Sequence, residues 1–297
     1  MGNKKSGIIG KIAILLSIIV AIFAGGYLFL DKIIVPKYFS SYGINDVPDL
    51  VGVVTSLYKS PNEKKLVTNG YTQNDITSAI KNLQDANYKI SDDGTIDNTA
   101  PFQGDKAVKL TDREFAGICN KLIENGILID VLPNLNYVNL LNISILEVNI
   151  KPDEELATDG GYFGAKISFI AKIDTVDIRE QIANQMETPL FLLNMIIPDT
   201  LYFSVSYDLD LTKSESERVS GGTIAINGRT AKQSQILIDL LIDFIFPAQE
   251  KMNLEKFTDT FGNIVLEGID ILGDFKFVDN IEKNGIKFNG ILVTPEV

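Results

Sequence analysis

The sequence predicts an α+β fold: an N-terminal transmembrane helix, then an extracytoplasmic domain of long, twisted antiparallel strands packed on amphipathic helices. Three patterns lead to this fold class. The stretch from Ile12 to Leu30 carries no charge, and residues 111–125 repeat apolar side chains at helical spacing. Two segments beyond residue 160 alternate strictly between apolar and polar residues, as strands with one buried face do.

The uncharged stretch predicts a transmembrane anchor, which we place at residues 12–35. A helix needs about 20 apolar residues to cross the hydrocarbon core of a bilayer, whereas the apolar part of a cleaved signal peptide has about 7–15. A cleaved signal is the alternative, because Ala24-Gly25-Gly26 resembles a weak cleavage site. The apolar run continues past that point, which favours the anchor.

The charges that flank the anchor predict its orientation. Lys4, Lys5 and Lys11 precede it with no acidic residue among them. Because positively charged flanks stay in the cytoplasm, residues 1–11 are expected to form a cytoplasmic tail. We therefore expect a single-pass protein of the cell membrane, with its N-terminus cytoplasmic and its C-terminal domain extracytoplasmic.

The composition limits what the exported part binds. Aspartate and glutamate number 39 against 27 lysines and arginines, and the lysines of the cytoplasmic tail reduce the positive charge outside further. Nucleic acids and anionic lipid surfaces both attract positive charge, so this acidic excess argues against either as a partner. The single cysteine, Cys119, excludes an internal disulfide.

The first exported segment, residues 36–105, is predicted to be a helical linker or subdomain. Asp46 is a candidate helix cap with Pro48 in the first turn, and residues 73–86 form a second amphipathic helix. Residues 91–105 are rich in turn-forming residues and predict a solvated hairpin. Their aspartates lack the spacing of a calcium-binding EF-hand loop.

The main domain, residues 106–297, opens with a short strand and the most clearly marked helix after the anchor. Thr111 and Glu114 form the S/T-x-x-E capping box, in which each side chain bonds the free backbone N–H of the other residue. Gly126 stands where such a helix ends. The predicted apolar face of the helix consists of Phe115, Ile118, Cys119, Leu122 and Ile123.

Long strands are predicted to follow. Residues 142–151 alternate with a slip near Leu146, as a β-bulge produces. Residues 162–174 and 200–212 alternate without a slip, and the Gly-, Asp- and Ser-rich connections favour antiparallel meanders. The apolar side of the last segment carries Leu201, Phe203, Val205, Tyr207, Leu209 and Leu211.

The stretch 222–247 predicts a strand, a turn and a second helix, closed by Pro247. Within Ile236–Phe246 every residue except Asp239 and Asp243 is apolar. This segment is too short to cross a membrane and fits a helix that its own protein covers on most sides. The chain then ends in two strand-like segments.

The sequence shows no catalytic constellation, and we expect no enzyme, no cofactor and no metal ion. It contains no histidine, and Cys119 lies on the apolar face of its predicted helix. The carboxylate pairs Asp208–Asp210 and Asp239–Asp243 fit a two-carboxylate glycosidase in principle. Each pair lies on the outer face of an amphipathic element, so solvated surface explains both better.

The order of these features resembles the YpmS-like membrane-anchored extracytoplasmic proteins of Gram-positive bacteria. The resemblance covers residues 106–293 and rests on "LTDREFAGICNKLI", "MIIPDTLYFSVSYDLDL", "INGR" and the terminal "GIKF". The strand alternation also resembles tubular lipid-binding (TULIP-type) domains. That resemblance implies a long, twisted antiparallel sheet that wraps a helix and leaves an apolar groove for acyl chains, without reactive side chains to carry over.

Two functions follow as expectations. The first is a binding module that holds a lipid or other apolar chain in a groove between sheet and helix. The second is a non-enzymatic structural or interaction protein of the cell envelope with a dry core, whose partners are envelope proteins. The membrane is a partner in both, through the anchor. With about 100° of turn per helical residue and Asp239 and Asp243 on the wet side, the expected groove residues are Phe203, Val205, Tyr207, Leu237, Leu241, Phe244 and Ile245.

Overall fold

The computed structural model of the chain shows an α+β fold with antiparallel strands, as predicted, and these strands form two sheets where the sequence predicted one. It describes residues 30–58, 61–96, 102, 104–125, 142–186, 190, 194, 198–214, 217–230, 232–233 and 272–295. The described α-helices are α1 (Val35–Phe39), α2 (Val47–Tyr58), α3 (Glu63–Leu66), α4 (Gln73–Asp85), α5 (Asp112–Glu124) and α6 (Val176–Met186). The strands are β1 (Val108–Thr111), β2 (Asn142–Pro152), β3 (Ala157–Thr158), β4 (Gly161–Tyr162), β5 (Gly164–Asp174), β6 (Thr200–Asp210), β7 (Val219–Ile226), β8 (Arg229–Thr230), β9 (Asp274–Lys283) and β10 (Ile286–Thr294).

The ten described strands divide equally between the two sheets. The first sheet has the order β1-β10-β9-β4-β3, and the second has the order β2-β5-β6-β7-β8. The chain leaves the second sheet after β2, forms the short β3–β4 hairpin in the first, and returns as β5. Phe163, between β4 and β5, marks this crossing, and its carbonyl accepts the Leu211 N–H at 2.8 Å.

The long strands of the second sheet confirm the predicted alternation. On β5 the apolar residues from Ala165 to Ile173 are buried at every second position, and β6 repeats the pattern from Leu201 to Leu209. The β2–β5 register shifts between Ile145 and Glu147, which confirms the predicted bulge at Leu146. These strands therefore share one buried face.

Two tight turns contain asparagine followed by glycine, both with positive φ. Asn227 and Gly228, at 51° and 73°, join β7 to β8, and Asn284 and Gly285, at 52° and 76°, join β9 to β10. Such pairs form the two-residue turn whose twist matches that of the flanking strands. The "INGR" turn predicted from sequence is the first of them.

Helix α5 begins at the predicted capping box. The Thr111 hydroxyl accepts the Glu114 N–H at 3.2 Å, and the Glu114 carboxylate accepts the Thr111 N–H at 3.0 Å. The helix ends with Asn125 as its C-cap, and Gly126 lies outside the described residues. Of the predicted apolar face, Cys119 and Ile123 are only half-buried, whereas the other three members lie fully in the core.

Residues of the predicted helical segment 36–105 also enter this core. Helix α4 packs against α5 and contributes Ile76, Ile80 and Leu83. The turn-rich stretch after it contributes Phe102, whose ring lies 5.3 Å from that of Tyr88. The core thus joins both sheets, α4 and α5.

The segment before α4 lies against the second sheet. The Arg229 side chain donates to the Gly52 carbonyl at 2.9 Å, and the Tyr202 hydroxyl donates to Glu63 at 2.9 Å. Within the described part of the chain, no helix is long and apolar enough to cross a membrane. Residues 12–29 of the predicted anchor lie outside the described residues.

Candidate functional site

The second sheet carries a continuous buried surface of large apolar side chains, which we call the apolar face. Cross-strand pairing aligns these side chains in rows, because residues directly opposite each other in an antiparallel pair point to the same side. Every member is buried. The rows are Ile150–Ile167–Tyr207, Val148–Phe169–Val205–Ile224 and Ala171–Phe203–Ile226.

Three of the seven predicted groove residues lie at the centre of the apolar face. Phe203, Val205 and Tyr207 are 4%, 2% and 2% exposed. The ring of Tyr207 packs against that of Phe169, with centroids 6.3 Å apart and planes inclined by 30°. The other four lie outside the described residues, so their meeting with β6 stays a prediction: Leu237, Leu241, Phe244 and Ile245.

Helix α5 covers only one side of the apolar face. Among the described helices it makes the most extensive contacts with the second sheet, and those contacts go to β2. No described helix contacts β6 or β7 to the same extent. The buried apolar surface therefore continues from β2 to β7, well past the part that α5 covers.

Polar side chains cover the free edge of β2, which the sequence analysis did not anticipate. The Asn120 amide acts like a backbone unit: its Oδ1 accepts the Ile145 N–H at 2.7 Å, and its Nδ2 donates to the Ile145 carbonyl at 2.6 Å. Asn289 of β10 donates to the Ile150 carbonyl at 2.7 Å. Unpaired N–H and C=O groups on a long edge strand template pairing with other chains. These amides remove part of that template.

Glu147, next to the bulge, binds the loop that precedes α4. This residue is 2% exposed, and its Oε2 accepts the N–H groups of Thr68 at 2.6 Å and Asn69 at 2.8 Å. Its Oε1 accepts from Asn149 at 2.6 Å. A buried carboxylate with this many donors is satisfied within the fold. In the sequence, the only feature that marks Glu147 is its position directly after the predicted bulge.

Asp112, the first residue of α5, carries a buried carboxyl group with few neighbouring groups to stabilise its negative charge. It is 6% exposed, and its Oδ1 accepts the Arg113 N–H at 2.8 Å. Loss of hydration raises the pKa of Asp112 to about 6. The hydrogen bond from the Arg113 backbone and the positive charge of Arg113 lower the pKa, whereas the negative charges of Glu147 and Asp75 raise it. A carboxyl perturbed in this way is the group most able to change charge near neutral pH.

The remaining reactive groups fit a structural role. Burial raises the pKa of the Cys119 thiol to about 12, so it stays protonated at neutral pH. Asp208 is exposed, 3.9 Å from Lys166, and the Asp210 carboxylate accepts from Thr212 at 2.6 Å. Asp239 and Asp243 lie outside the described residues. In the part of the chain that the structure describes, no three His, Cys, Asp or Glu side chains are placed to hold a metal ion.

Comparisons with known proteins identify no relative. No protein-family model, no curated protein and no solved structure matches the chain. The resemblance to YpmS-like proteins and to tubular lipid-binding domains therefore stays a prediction, and the function has to be argued from the described geometry.

Proposed function

We propose that the chain is a membrane-anchored extracytoplasmic module that holds a lipid or other apolar chain against the apolar face, in the manner of a tubular lipid-binding domain. One observation carries the proposal. The apolar face stays buried as far as β7, although no described helix contacts β6 or β7 as extensively as α5 contacts β2. In this proposal the predicted apolar helix 236–246 lies over this part of the face, and an acyl chain packs between the helix and the sheet.

The chemistry of the face suits an apolar ligand. Its members are aliphatic or aromatic except for the Tyr207 hydroxyl, so binding is driven by removal of the ligand's own apolar area from water, at about 25 cal/mol per Å². A ligand held in this way needs no charged recognition group. The same proposal includes two further points: the chain belongs to the YpmS-like group, and it is not an enzyme.

A specific observation favours a second candidate, a structural or interaction protein of the cell envelope with a dry core. Phe203, Val205 and Tyr207 are already buried without any ligand, and the buried Glu147 has its partners within the fold. In this alternative the helix 236–246 alone completes the core.

The two candidates predict different outcomes for Leu241→Trp in the full chain. If a groove is present, the added bulk displaces ligand: native mass spectrometry shows less bound lipid, and the free energy of unfolding changes by less than about 1 kcal/mol. If the core is dry, the indole overpacks it, the free energy of unfolding falls by about 1–3 kcal/mol, and no lipid is present to be lost.

Ile170→Trp is the matched control. Ile170 is a half-buried residue of β5 that points away from the apolar face, opposite Ser204. Ile170→Trp adds an indole to the second sheet on the side away from the apolar face, and bound lipid is expected to stay at the wild-type level. Equal lipid loss in both variants contradicts a ligand on the apolar face.

A further inference from the structure

The helical turn that follows the uncharged stretch exposes a collar of side chains, defined as Lys32, Ile33, Lys37 and Tyr38. Ile33 is 51% exposed and Tyr38 is 59% exposed, and the two lie five residues apart in the same helical segment. The Lys37 Nζ lies 5.4 Å from the centre of the Tyr38 ring. Apolar, aromatic and basic groups thus share one side of residues 30–39.

The opposite side of this helix is fixed to the domain. Asp31 and Val35 are 6% and 0% exposed. The Asp31 Oδ1 accepts the Val47 N–H at 2.8 Å and so binds the first residue of α2. The first charged residue after the apolar run is therefore bonded to the folded domain, and no extended linker separates the two.

If the uncharged stretch fills the hydrocarbon core, the collar begins within the headgroup layer and ends at its outer boundary. Residues 30–34 form a π-helix and residues 35–39 an α-helix. At no more than about 1.5 Å per residue, Ile33 lies within about 5 Å and the backbone of Tyr38 within about 12 Å of Leu30, the end of the uncharged stretch. Helical side chains lean toward the N-terminus, which brings the Tyr38 ring closer to the bilayer. The headgroup layer adds roughly 5–8 Å to each side of the hydrocarbon core. Tyrosine is enriched at this level, and lysine extends its ammonium group from it into water.

We propose that the collar lies in the headgroup layer of the bilayer and holds the exported domain on the membrane surface in one fixed orientation. This inference rests on the proposed anchoring of the chain. The occupant of the exposed patch is the lipid surface, because the uncharged stretch of residues 12–30 leads directly into it. The acidic excess of the exported part repels anionic headgroups elsewhere, which confines the contact to the collar.

Single-tryptophan fluorescence tests the proposal, since the chain contains no tryptophan of its own. The full-length Tyr38→Trp variant is reconstituted into phosphatidylcholine vesicles whose acyl chains carry bromine close to the headgroup. We expect bromine to quench about half of its emission, because the indole lies in the interfacial layer. Ile286→Trp, at a residue 58% exposed beside the β9–β10 turn, is the matched control and is expected to lose little emission.

Cosedimentation with the vesicles separates the two claims. A chain that does not cosediment contradicts the anchor, and the collar contact with it. A chain that cosediments, while the Tyr38→Trp variant is quenched no more than Ile286→Trp, overturns the collar contact and leaves the anchor intact. Strong quenching of the first variant alone is the result that the proposal requires.

Discussion

At the scale of single residues, Glu114 joins three elements that are far apart in sequence. It is 1% exposed, and one oxygen closes the capping box with Thr111. Its other oxygen accepts from Lys283 of β9 and from Asn82 of α4, the latter at 3.3 Å. The cap that starts α5 therefore also fixes the helix against its neighbours.

The cap makes Thr111→Ala a destabilising change. Removing the hydroxyl leaves the Glu114 N–H without its acceptor, which costs about 1 kcal/mol. Chemical denaturation of residues 31–297 measures this as a lower midpoint with an unchanged slope. Thr77→Ala is the control: the Thr77 hydroxyl bonds the Gln73 carbonyl on the exposed side of α4, and alanine there is expected to be neutral or slightly stabilising. Equal midpoints for wild type and Thr111→Ala contradict the capping role.

Asp112 predicts an unusual dependence of stability on pH. Its pKa is raised to about 6 in the fold, from an ordinary value of 3.8, so its contribution to stability is fully present below pH 3.8 and is lost as the pH rises through 6. Asp112→Asn removes the charge but keeps an acceptor for the Arg113 N–H. We expect it to raise the free energy of unfolding at pH 7, on the order of 1–2 kcal/mol after allowance for residual hydration.

Denaturation at a series of pH values checks this prediction. The Asp112→Asn variant is expected to gain over wild type between pH 4 and pH 6 and to keep a constant gain above that range. A variant that is less stable than wild type at pH 7 shows that the charged form of Asp112 has a stabilising partner.

At the scale of elements, the free edge of β2 depends on side chains from α5 and β10. The bulge at Leu146 interrupts the ladder with β5, and Glu147 follows directly as the acceptor for the loop before α4. Asn120 and Asn289 bind main-chain groups of β2 on either side of the bulge. An edge covered in this way is less available for pairing with another chain.

Asn120→Leu tests this cover. The change keeps the branched shape of the side chain but leaves the Ile145 N–H and carbonyl without the partners that Asn120 provides, which costs about 1–3 kcal/mol. Lys121→Leu, one residue further along α5, is the control and is expected to stay within about 0.5 kcal/mol of wild type. Thermal and chemical denaturation measure both variants, and similar losses in the two contradict the role of the Asn120 amide.

The elements that were predicted from sequence are those with local signals. The capping box defines α5, strict alternation defines β5 and β6, and the slip at Leu146 defines the bulge. Helix α6 (Val176–Met186) was not predicted, because it follows β5 directly and shows no clear apolar face. The pairing of β1 with β10 was not predicted either, because it joins the two ends of the main domain.

The polar part of the site was missed for a related reason. Asn120 lies within the buried length of α5, and Glu147 bonds Thr68, which is 79 residues away. No spacing rule links such partners. Period-2 alternation is enough to place Phe203, Val205 and Tyr207 on one buried face, and their part in a groove stays a prediction.

At the scale of the whole molecule, the chain runs from a predicted anchor into a domain that begins immediately beside it. The bond between Asp31 and Val47 lies at this junction, and the Arg229–Gly52 and Tyr202–Glu63 bonds continue the attachment along the second sheet. The apolar face lies on the opposite side of β6 from Tyr202, because successive side chains of a strand alternate.

The anchor predicts an uncleaved N-terminus. Because the apolar run continues past Gly26, intact-mass analysis of the membrane fraction is expected to give the mass of the whole chain. Protease added from outside is expected to remove the exported part and leave the lysine-rich tail protected. A mature N-terminus near Tyr27 contradicts the anchor.

Retention of lipid by the purified protein shows whether the apolar face holds an apolar chain. The exported part, residues 31–297, is purified without added lipid or detergent and analysed by native mass spectrometry. We expect a discrete mass increment equal to one lipid, which disappears when the protein is unfolded. A folded domain with the mass of the polypeptide alone contradicts lipid binding and supports the dry-core alternative.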